Sequence, residues 1–358
     1  MLESEPLWVI VGLSAIVVTA ERGVSLLRGW ALRHQMLDIP GVRRSHSVPT
    51  PRGGGLAIVI AVLAGTVFWV ALGHVCSGRT VVAYVAGGLL VAGVSWLDDC
   101  RSLPASVRLC AHATAAALVV WRIGYWRAVT LPLVGEVALH NLGAMVTFVW
   151  IIGLINAYNF MDGIDGIAGS QAVVAGVSWI AIGNALDMAL PAMLGALVAA
   201  ASIGFLLHNW PPARIFMGDV GSAFLGFTFA VLGVIASDEG PRMPVTAVLA
   251  VGPFVLDATT TLLRRLALRE NVFEAHRSHL YQRLVVAGWS HRSVTCLYLG
   301  LATVSAATGV LWALGLVGAA AVGVLLVVLS FVLVFLLVKR LESAMKHGSA
   351  LAHAHRAW

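Results

Sequence analysis

Residues 142–169 read LGAMVTFVWIIGLINAYNFMDGIDGIAG, a long apolar run that ends in asparagines, aspartates and glycines. An apolar run of about twenty residues is typical of a helix that crosses the roughly 30 Å hydrocarbon core of a bilayer. The whole chain has the same character, since 59% of its 358 residues are hydrophobic and 11% are charged, whereas an ordinary soluble domain has about 25% charged residues. The sequence therefore predicts an integral membrane protein with polar side chains at the end of a span.

Similar apolar runs recur along the chain, and we predict eleven transmembrane helices in a single integral membrane domain, residues 1–358. The predicted spans are centred near Val11, Val62, Val85, Ala116, Val149, Val174, Leu197, Phe227, Ala250, Thr303 and Leu326. The predicted fold class is an all-α polytopic membrane protein, because helices satisfy their own backbone hydrogen bonds in lipid.

The formal charge of +6 comes from arginines and lysines in short segments between apolar runs, where they report orientation rather than nucleic-acid binding. With the N-terminus outside, all 23 of them except Arg79, Arg122, Arg127 and Arg242 fall on the inner side. We therefore predict a periplasmic N-terminus, a cytoplasmic C-terminus and no nucleic-acid partner.

Five aspartates are predicted on the cytoplasmic face, in three separate segments. Asp98 and Asp99 follow an apolar run directly, Asp162 and Asp165 belong to the stretch quoted first, and Asp219 lies in the sequence GDVGS. Clustered carboxylates repel each other and resist dehydration, so their combined negative charge requires cations. A divalent metal and arginine-bound phosphate meet that requirement better than the structural alternatives, which are a solvated loop start and a helix cap by Asp219 or Ser222.

The polar residues of the quoted stretch recur at every third position. On an α-helix such positions cover one half of the surface, so we predict that Asn156, Asn159, Asp162 and Asp165 converge on one side. The glycines between them leave the backbone open to close approach by a ligand or a second helix.

Two further segments carry residues suited to a nucleotide. Asn209 and Phe216 share a short loop, and they offer an amide for pairing with a base and a ring for stacking on it. His276, Arg277 and His279 belong to the run HRSH, and a guanidinium can bind phosphate oxygens with two hydrogen bonds. An ordinary surface loop is the structural alternative for the second segment.

These residues resemble the polyprenyl-phosphate N-acetylhexosamine-1-phosphate transferases, which include the phospho-MurNAc-pentapeptide translocase and the enzymes that initiate O-antigen and enterobacterial common antigen. The matching motifs are PTPRGGG (49–55), DD (98–99), NAYNFMDGIDG (156–166), FMGDVGS (216–222) and HRSH (276–279), in the family's order. The resemblance implies a bundle of ten or eleven helices in the bacterial inner membrane, with the active-site cleft on its cytoplasmic face.

Residue roles follow from the resemblance by position. It implies Asp98, Asp99 and Asp219 as catalytic residues, with Mg²⁺, or Mn²⁺ in its place, bound by Asp219 and Asp99. It implies substrate contacts from Asn159, Asp162, Asp165, Asn209, Phe216, His276, Arg277 and His279, with Phe216 stacked on uracil.

The implied reaction transfers N-acetylhexosamine 1-phosphate from a UDP-sugar to undecaprenyl phosphate, releases UMP and initiates O-antigen or a related cell-surface polysaccharide. Besides these two substrates the implied partner is membrane lipid, and a homodimer is a candidate assembly. The HRSH run replaces three consecutive histidines of the peptidoglycan enzyme, which favours the O-antigen branch and leaves the peptidoglycan enzyme as the alternative. A polytopic lipid or drug transporter is the alternative of another class, but its ionisable residues would lie near mid-membrane.

The arginine distribution makes a direct prediction about orientation. A reporter fused after Lys346 should read cytoplasmic, and one inserted near Arg127 should read periplasmic, because positive residues are retained on the inner side. Paired phosphatase and fluorescent-protein fusions measure both positions. The reverse pattern would place the aspartate segments outside and overturn the predicted orientation.

Overall fold

The computed structural model describes residues 5–39, 48–73, 78–271 and 277–355. Over these residues the chain forms thirteen α-helices. Their bounds are α1 Glu5–Arg33, α2 Leu56–Ala71, α3 Gly78–Arg101, α4 Ala105–Arg122, α5 Leu142–Met161, α6 Ile167–Ala185, α7 Ala189–Asn209, α8 Asp219–Ile235, α9 Met243–Ala250, α10 Gly252–Ala267, α11 Leu280–Val286, α12 His291–Ala313 and α13 Val317–His355. A 3-10 helix, Ala236–Glu239, follows α8.

Two small antiparallel ribbons accompany the helices. Strand β1, Leu37–Asp38, pairs with β2, Thr50–Pro51. Strand β3, Ala128–Leu131, forms a hairpin with β4, Gly135–Ala138. These are the only strands among the described residues, so the helical class predicted from the sequence is confirmed.

Eight helices of the described chain are long and apolar enough to cross a membrane, namely α1, α3, α5, α6, α7, α8, α12 and α13. Helices α9 and α10 are bent by 84° at the break between them and count as a ninth if they form one span. Each of the eleven predicted centres lies in a helix. Two of those helices, α2 and α4, are not both long and apolar enough to be counted as membrane spans. The 16 residues of α2 reach about 24 Å, less than the core thickness, and α4 has arginines near both ends. A polytopic membrane protein is therefore confirmed, while the count of eleven and the orientation stay predictions.

Helix α8 lies at the centre of the bundle. Every residue from Val220 to Val234 is buried, and the helix packs against α3 and α5. Gly226 permits this packing, since a Cβ added there would lie 2.7 Å from the carbonyl oxygen of Leu154 on α5. Because α8 is enclosed along its length, its first residue, Asp219, is held firmly against the surrounding helix ends.

Candidate active site

The segment after β2 lies alongside the loop that precedes α8. Phe216 donates its backbone N–H to the carbonyl oxygen of Pro51 (2.8 Å), and Gly55 donates to that of Met217 (2.9 Å). A Cβ added to Gly55 would lie 2.4 Å from Cα of Gly221, an approach that only residues without a side chain allow. The PTPRGGG and FMGDVGS motifs therefore form one structural unit.

The carboxylate of Asp99, in the last turn of α3, caps the start of α8. Its Oδ1 accepts the backbone N–H of Asp219 (3.1 Å), and its Oδ2 accepts that of Val220 (3.0 Å). A helix N-terminus has unpaired N–H groups and favours negative charge, which explains the contact. The N-cap is Gly218, and the capping carboxylate comes from another helix rather than from Asp219 or Ser222. Asp99 thus determines where Asp219 lies.

Asp98 and Asp219 share one cation. Nη1 of Arg108 lies 2.9 Å from Oδ2 of Asp98 and 3.3 Å from Oδ2 of Asp219. The two carboxylates belong to α3 and α8, and their common neighbour shows that both can reach a single positive charge. Asp98, rather than the Asp99 of the predicted metal pair, is the residue that meets Asp219 in this way.

This pair of carboxylates fits a magnesium site of the phosphoryl-transfer type. Such sites hold Mg²⁺ with one or two carboxylates and complete its octahedral shell with substrate phosphate and water. Over the described residues, no group of three or more acidic, histidine or cysteine side chains could hold a metal ion. Asp98 and Asp219 together supply two carboxylates, so a metal held by them would need its remaining ligands from outside the chain.

Helix α5 ends at Met161, within the stretch that was predicted to continue as one helix. Asn156 and Asn159 lie on the helix, whereas Asp162 and Asp165 lie in the following loop. The predicted single helical face is therefore wrong, because helical spacing holds only as far as the helix continues. Asn156 donates its amide N–H to the carbonyl oxygen of Ile152 (2.7 Å) and does not join the aspartates.

The loop between α5 and α6 places two aspartates beside the start of α8. Burial, together with the carboxylates of Asp219, Asp99 and Asp165, raises the pKa of Asp162 well above its usual range. Asp165 is tied to two other segments, since its Oδ2 accepts the backbone N–H of Ala213 (3.0 Å) and its Oδ1 lies 3.2 Å from Nδ1 of His291. Asp165 therefore fixes the position of the loop. Asp162 carries an energetic cost when it is ionised, because it is buried among other carboxylates.

Asn209 is the last residue of α7, and Phe216 lies in the loop between α7 and α8. The buried amide of Asn209 accepts the backbone N–H of Gly166 (2.9 Å) and donates to the carbonyl oxygen of Ile215 (2.9 Å). The amide thereby connects two loops, and pairing with a base stays a prediction. The half-buried ring of Phe216 borders open space. Asn159, on the facing helix α5, donates to the hydroxyl of Ser222 (3.0 Å).

These residues surround a cleft of about 300 Å³, which we call the acidic cleft. Its lining residues are Asp38, Arg52, Asp99, Asn159, Asp162, Gly163, Ile164, Asp165, Asn209, Phe216, Met217, Gly218, Asp219, Gln282 and His291. Seven of the predicted site residues are thus brought together, and Asp98 adjoins them through Arg108. Asp38, Gln282 and His291 were missed because each is a single polar residue outside the recognised motifs.

Of the HRSH run, the described residues 277–279 are not among those that line the acidic cleft. His276 lies outside the described residues, and Arg277 is not among the residues that line the cleft. His279 is 3% exposed, and its Nδ1 lies 3.2 Å from Oδ1 of Asp257. The His279 ring lines a second cleft, described below, rather than the acidic cleft. A contact of His279 with the diphosphate stays a prediction.

Asp257, on α10, is a buried aspartate that sequence analysis missed. It accepts the backbone N–H groups of Leu280 (2.9 Å) and Tyr281 (3.2 Å) and the hydroxyl of Tyr298 (2.5 Å). With His279 it fixes the start of α11. An isolated aspartate in an apolar run carries a signal of function in a membrane protein, and that signal could have identified it.

A second cleft, of about 390 Å³, lies between α5 and α10, and we call it the apolar cleft. It is lined by Val149, Trp150, Gly153, Leu154, Asn156, Ala157, Phe160, Val255, Ala258, Thr259, Thr261, Leu262, Arg265 and His279. Most of these side chains are hydrophobic, with Arg265 and His279 as the basic exceptions. Asn159 and Phe160, adjacent at the end of α5, line the acidic and the apolar cleft respectively.

Comparison with known proteins gives a consistent set of similarities. The sequence pattern of glycosyl transferase family 4 matches residues 81–237. A probable undecaprenyl-phosphate N-acetylglucosaminyl 1-phosphate transferase of Bacillus subtilis is 30% identical over 310 residues, 84% of this chain and 84% of that protein. A decaprenyl-phosphate N-acetylglucosaminephosphotransferase of Mycobacterium tuberculosis is 29% identical, covering 84% of this chain and 82% of its own length. A phospho-N-acetylmuramoyl-pentapeptide-transferase of Symbiobacterium thermophilum is 30% identical, covering 77% and 84%.

The cap on α8 predicts a structural effect of Asp99→Asn. An asparagine keeps one acceptor oxygen and turns an amide N–H₂ toward a backbone N–H, so the free energy of unfolding should fall by about 1–2 kcal/mol. Thermal unfolding in detergent measures this change, with the exposed Asp238→Asn as the matched control. An unchanged melting temperature together with lost turnover would contradict the capping role and show that Asp99 acts on substrate.

Proposed function

Because this chain belongs to glycosyl transferase family 4 and is a polyprenyl-phosphate sugar-1-phosphate transferase, we propose that it transfers N-acetylglucosamine 1-phosphate from UDP-N-acetylglucosamine to undecaprenyl phosphate. The products are a polyprenyl-diphospho-sugar and UMP, and the lipid product would initiate O-antigen or a related cell-surface polysaccharide. The family read from the sequence motifs is confirmed by the comparisons.

One observation carries the proposal: a single arginine nitrogen of Arg108 contacts Asp98 and Asp219 beside a cleft that also holds Phe216. Two carboxylates that meet one cation are the arrangement needed to hold a metal on a diphosphate. An aromatic ring on the loop that leads directly into Asp219 suits stacking on a base. A nucleoside diphosphate linked to a sugar matches both features.

The names of relatives support the donor sugar. The Bacillus and mycobacterial proteins are named for N-acetylglucosamine, and HRSH differs from the three histidines that the resemblance associates with the peptidoglycan enzyme. Phospho-N-acetylmuramoyl-pentapeptide transfer is the second candidate, since a protein of that name covers 77% of this chain.

The apolar cleft supports a lipid acceptor. A polyprenyl chain needs an apolar surface, and the phosphate at its head needs a basic residue where that surface ends. The walls of α5 and α10 offer the first, and Arg265 and His279 offer the second. At the end of α5, Asn159 lines the acidic cleft and the next residue, Phe160, lines the apolar cleft. The lipid acceptor and the nucleotide donor would therefore meet there.

The reaction forms a bond between an oxygen of the lipid phosphate and the phosphorus that carries the sugar, and it breaks the bond from that phosphorus to the oxygen of UMP. Attacking and attacked groups are both anionic, so the site must neutralise charge. When bound by Asp98 and Asp219, Mg²⁺ supplies that neutralisation. Asp99 holds Asp219 in position, and Asp165 holds the neighbouring loop. We propose a single displacement rather than an aspartyl intermediate, because a phosphate monoester is itself a competent nucleophile.

The proposed topology has the cleft on the cytoplasmic face. Besides the eight helices that are long and apolar enough to cross, α9 and α10 would form one bent span, and α2 and α4 would also cross. This gives the eleven spans predicted from the sequence. The support is the arginine bias together with Arg52 and Arg108, which contact Asp99 and Asp98, and Arg101, which ends the helix that carries both aspartates.

A labelled-donor assay tests the reaction. Purified protein in detergent, given UDP-N-acetylglucosamine with ³²P in the β-phosphate and undecaprenyl phosphate, should move the label into lipid and release unlabelled UMP. Asp219→Asn should lower the rate by at least about a hundredfold, because it removes one of two metal carboxylates. The exposed Asp238→Asn is the matched control and should leave the rate unchanged.

Two results would contradict the proposal. Label that stays with UDP while sugar enters lipid would show sugar transfer without phosphate. Label transfer from UDP-N-acetylmuramoyl-pentapeptide, with none from UDP-N-acetylglucosamine, would select the peptidoglycan reaction instead.

A further inference from the structure

Arg52 lines the acidic cleft, yet the sequence motifs assign it no role. It follows β2 and precedes the glycine run, and its Nη2 donates to the backbone carbonyl of Asp99. Its Nε is buried and has no hydrogen-bond partner among the residues that the structure describes. A guanidinium carries five N–H donors in a fixed fork, and a buried donor without a partner is costly. The side chain therefore has unused donor capacity beside the cleft.

The charges around the cleft indicate which kind of ligand the unused donor of Arg52 would bind. Five carboxylates line it, from Asp38, Asp99, Asp162, Asp165 and Asp219. Arg52 is the one permanently cationic side chain among its described lining residues, and within the described chain it forms no ion pair with a carboxylate inside 4 Å. Arg108, by contrast, is held by Asp98 and Asp219. The positive charge of Arg52 is thus available to an anion that enters the cleft.

A structural role also accounts for part of the geometry. Asp99 lies in the last turn of α3, and an arginine that binds a terminal carbonyl stabilises a helix end. That role uses one N–H and needs neither the buried Nε–H nor a position on the cleft wall. A lysine at this position could also bind the terminal carbonyl through its ammonium group. It could not fully replace a guanidinium that binds phosphate through its planar fork of N–H donors.

We infer that Arg52 binds an oxygen of a substrate phosphate in the acidic cleft, an inference that rests on the proposed function. The ligand chemistry is a phosphate ester, which either the diphosphate of the nucleotide donor or the phosphate of the lipid acceptor supplies. Arg52 then provides the fixed positive charge that the carboxylate-rich cleft needs in addition to a metal.

Binding measurements on the full-length protein in detergent test this with UDP and uridine as probes. Arg52→Gln should weaken UDP binding by about tenfold to a hundredfold and leave uridine binding unchanged, because only UDP carries phosphate. The UDP affinity of Arg52→Lys should fall between that of the wild type and that of Arg52→Gln. Arg33→Gln, which removes an exposed arginine at the end of α1, is the matched control and should change neither affinity.

Kinetics separate the two sources of phosphate. If Arg52→Gln binds UDP as the wild type does but has a raised KM for undecaprenyl phosphate, the acceptor phosphate is the ligand. Unchanged UDP affinity and unchanged KM for both substrates, with a lowered melting temperature, would overturn the inference and leave only the helix-end role. Should Arg52→Gln fail to fold, the same readings on Arg52→Lys decide. The UDP arm needs no turnover, so it holds even if the wild type transfers no sugar phosphate.

Discussion

Electrostatic repulsion among the five carboxylates of the acidic cleft is the constraint that the surrounding structure has to balance. Three kinds of positive partner do so, and each comes from a different part of the chain. The N-terminus of α8 takes the carboxylate of Asp99, Arg108 lies between Asp98 and Asp219, and Arg52 stands on the cleft wall. Burial and the neighbouring carboxylates still raise the pKa of Asp162 well above its usual range, so these partners do not remove the repulsion in the cleft. A metal bound together with a phosphate substrate would reduce that repulsion.

The same constraint explains why the bundle is packed so closely around α8. The helix start can accept Asp99 only if α3 and α8 are held in register, and the buried apolar length of α8 supplies that restraint. Gly55 and Gly221 bring the segment after β2 into backbone contact with the start of α8. This contact positions Arg52 and Phe216 on the same wall of the cleft, so one local packing arrangement sets the charge and the aromatic surface together.

Much of this could be predicted from the sequence, because apolar runs define helices and the motif aspartates are unusual at a membrane boundary. What could not be predicted depends on contacts between distant segments. The end of α5 at Met161 moved Asp162 and Asp165 off the predicted helical face. The cap by Asp99, the two-loop bridge of Asn209 and the pairing of His279 with Asp257 all join residues far apart in the chain. No periodicity encodes such pairs, and a single sequence does not show which of two adjacent aspartates meets a helix start.

Binding of Mn²⁺ in place of Mg²⁺ tests most directly whether the carboxylate cluster is a metal and diphosphate site. Electron paramagnetic resonance of the purified protein with UDP should show a bound Mn²⁺, and ³¹P hyperfine coupling should show that it contacts the diphosphate. The signal of bound Mn²⁺ should be lost in Asp219→Asn and retained in Asp238→Asn. Mn²⁺ bound equally well by Asp219→Asn, or bound without phosphorus coupling, would contradict a site in which Asp219 holds a metal on the diphosphate.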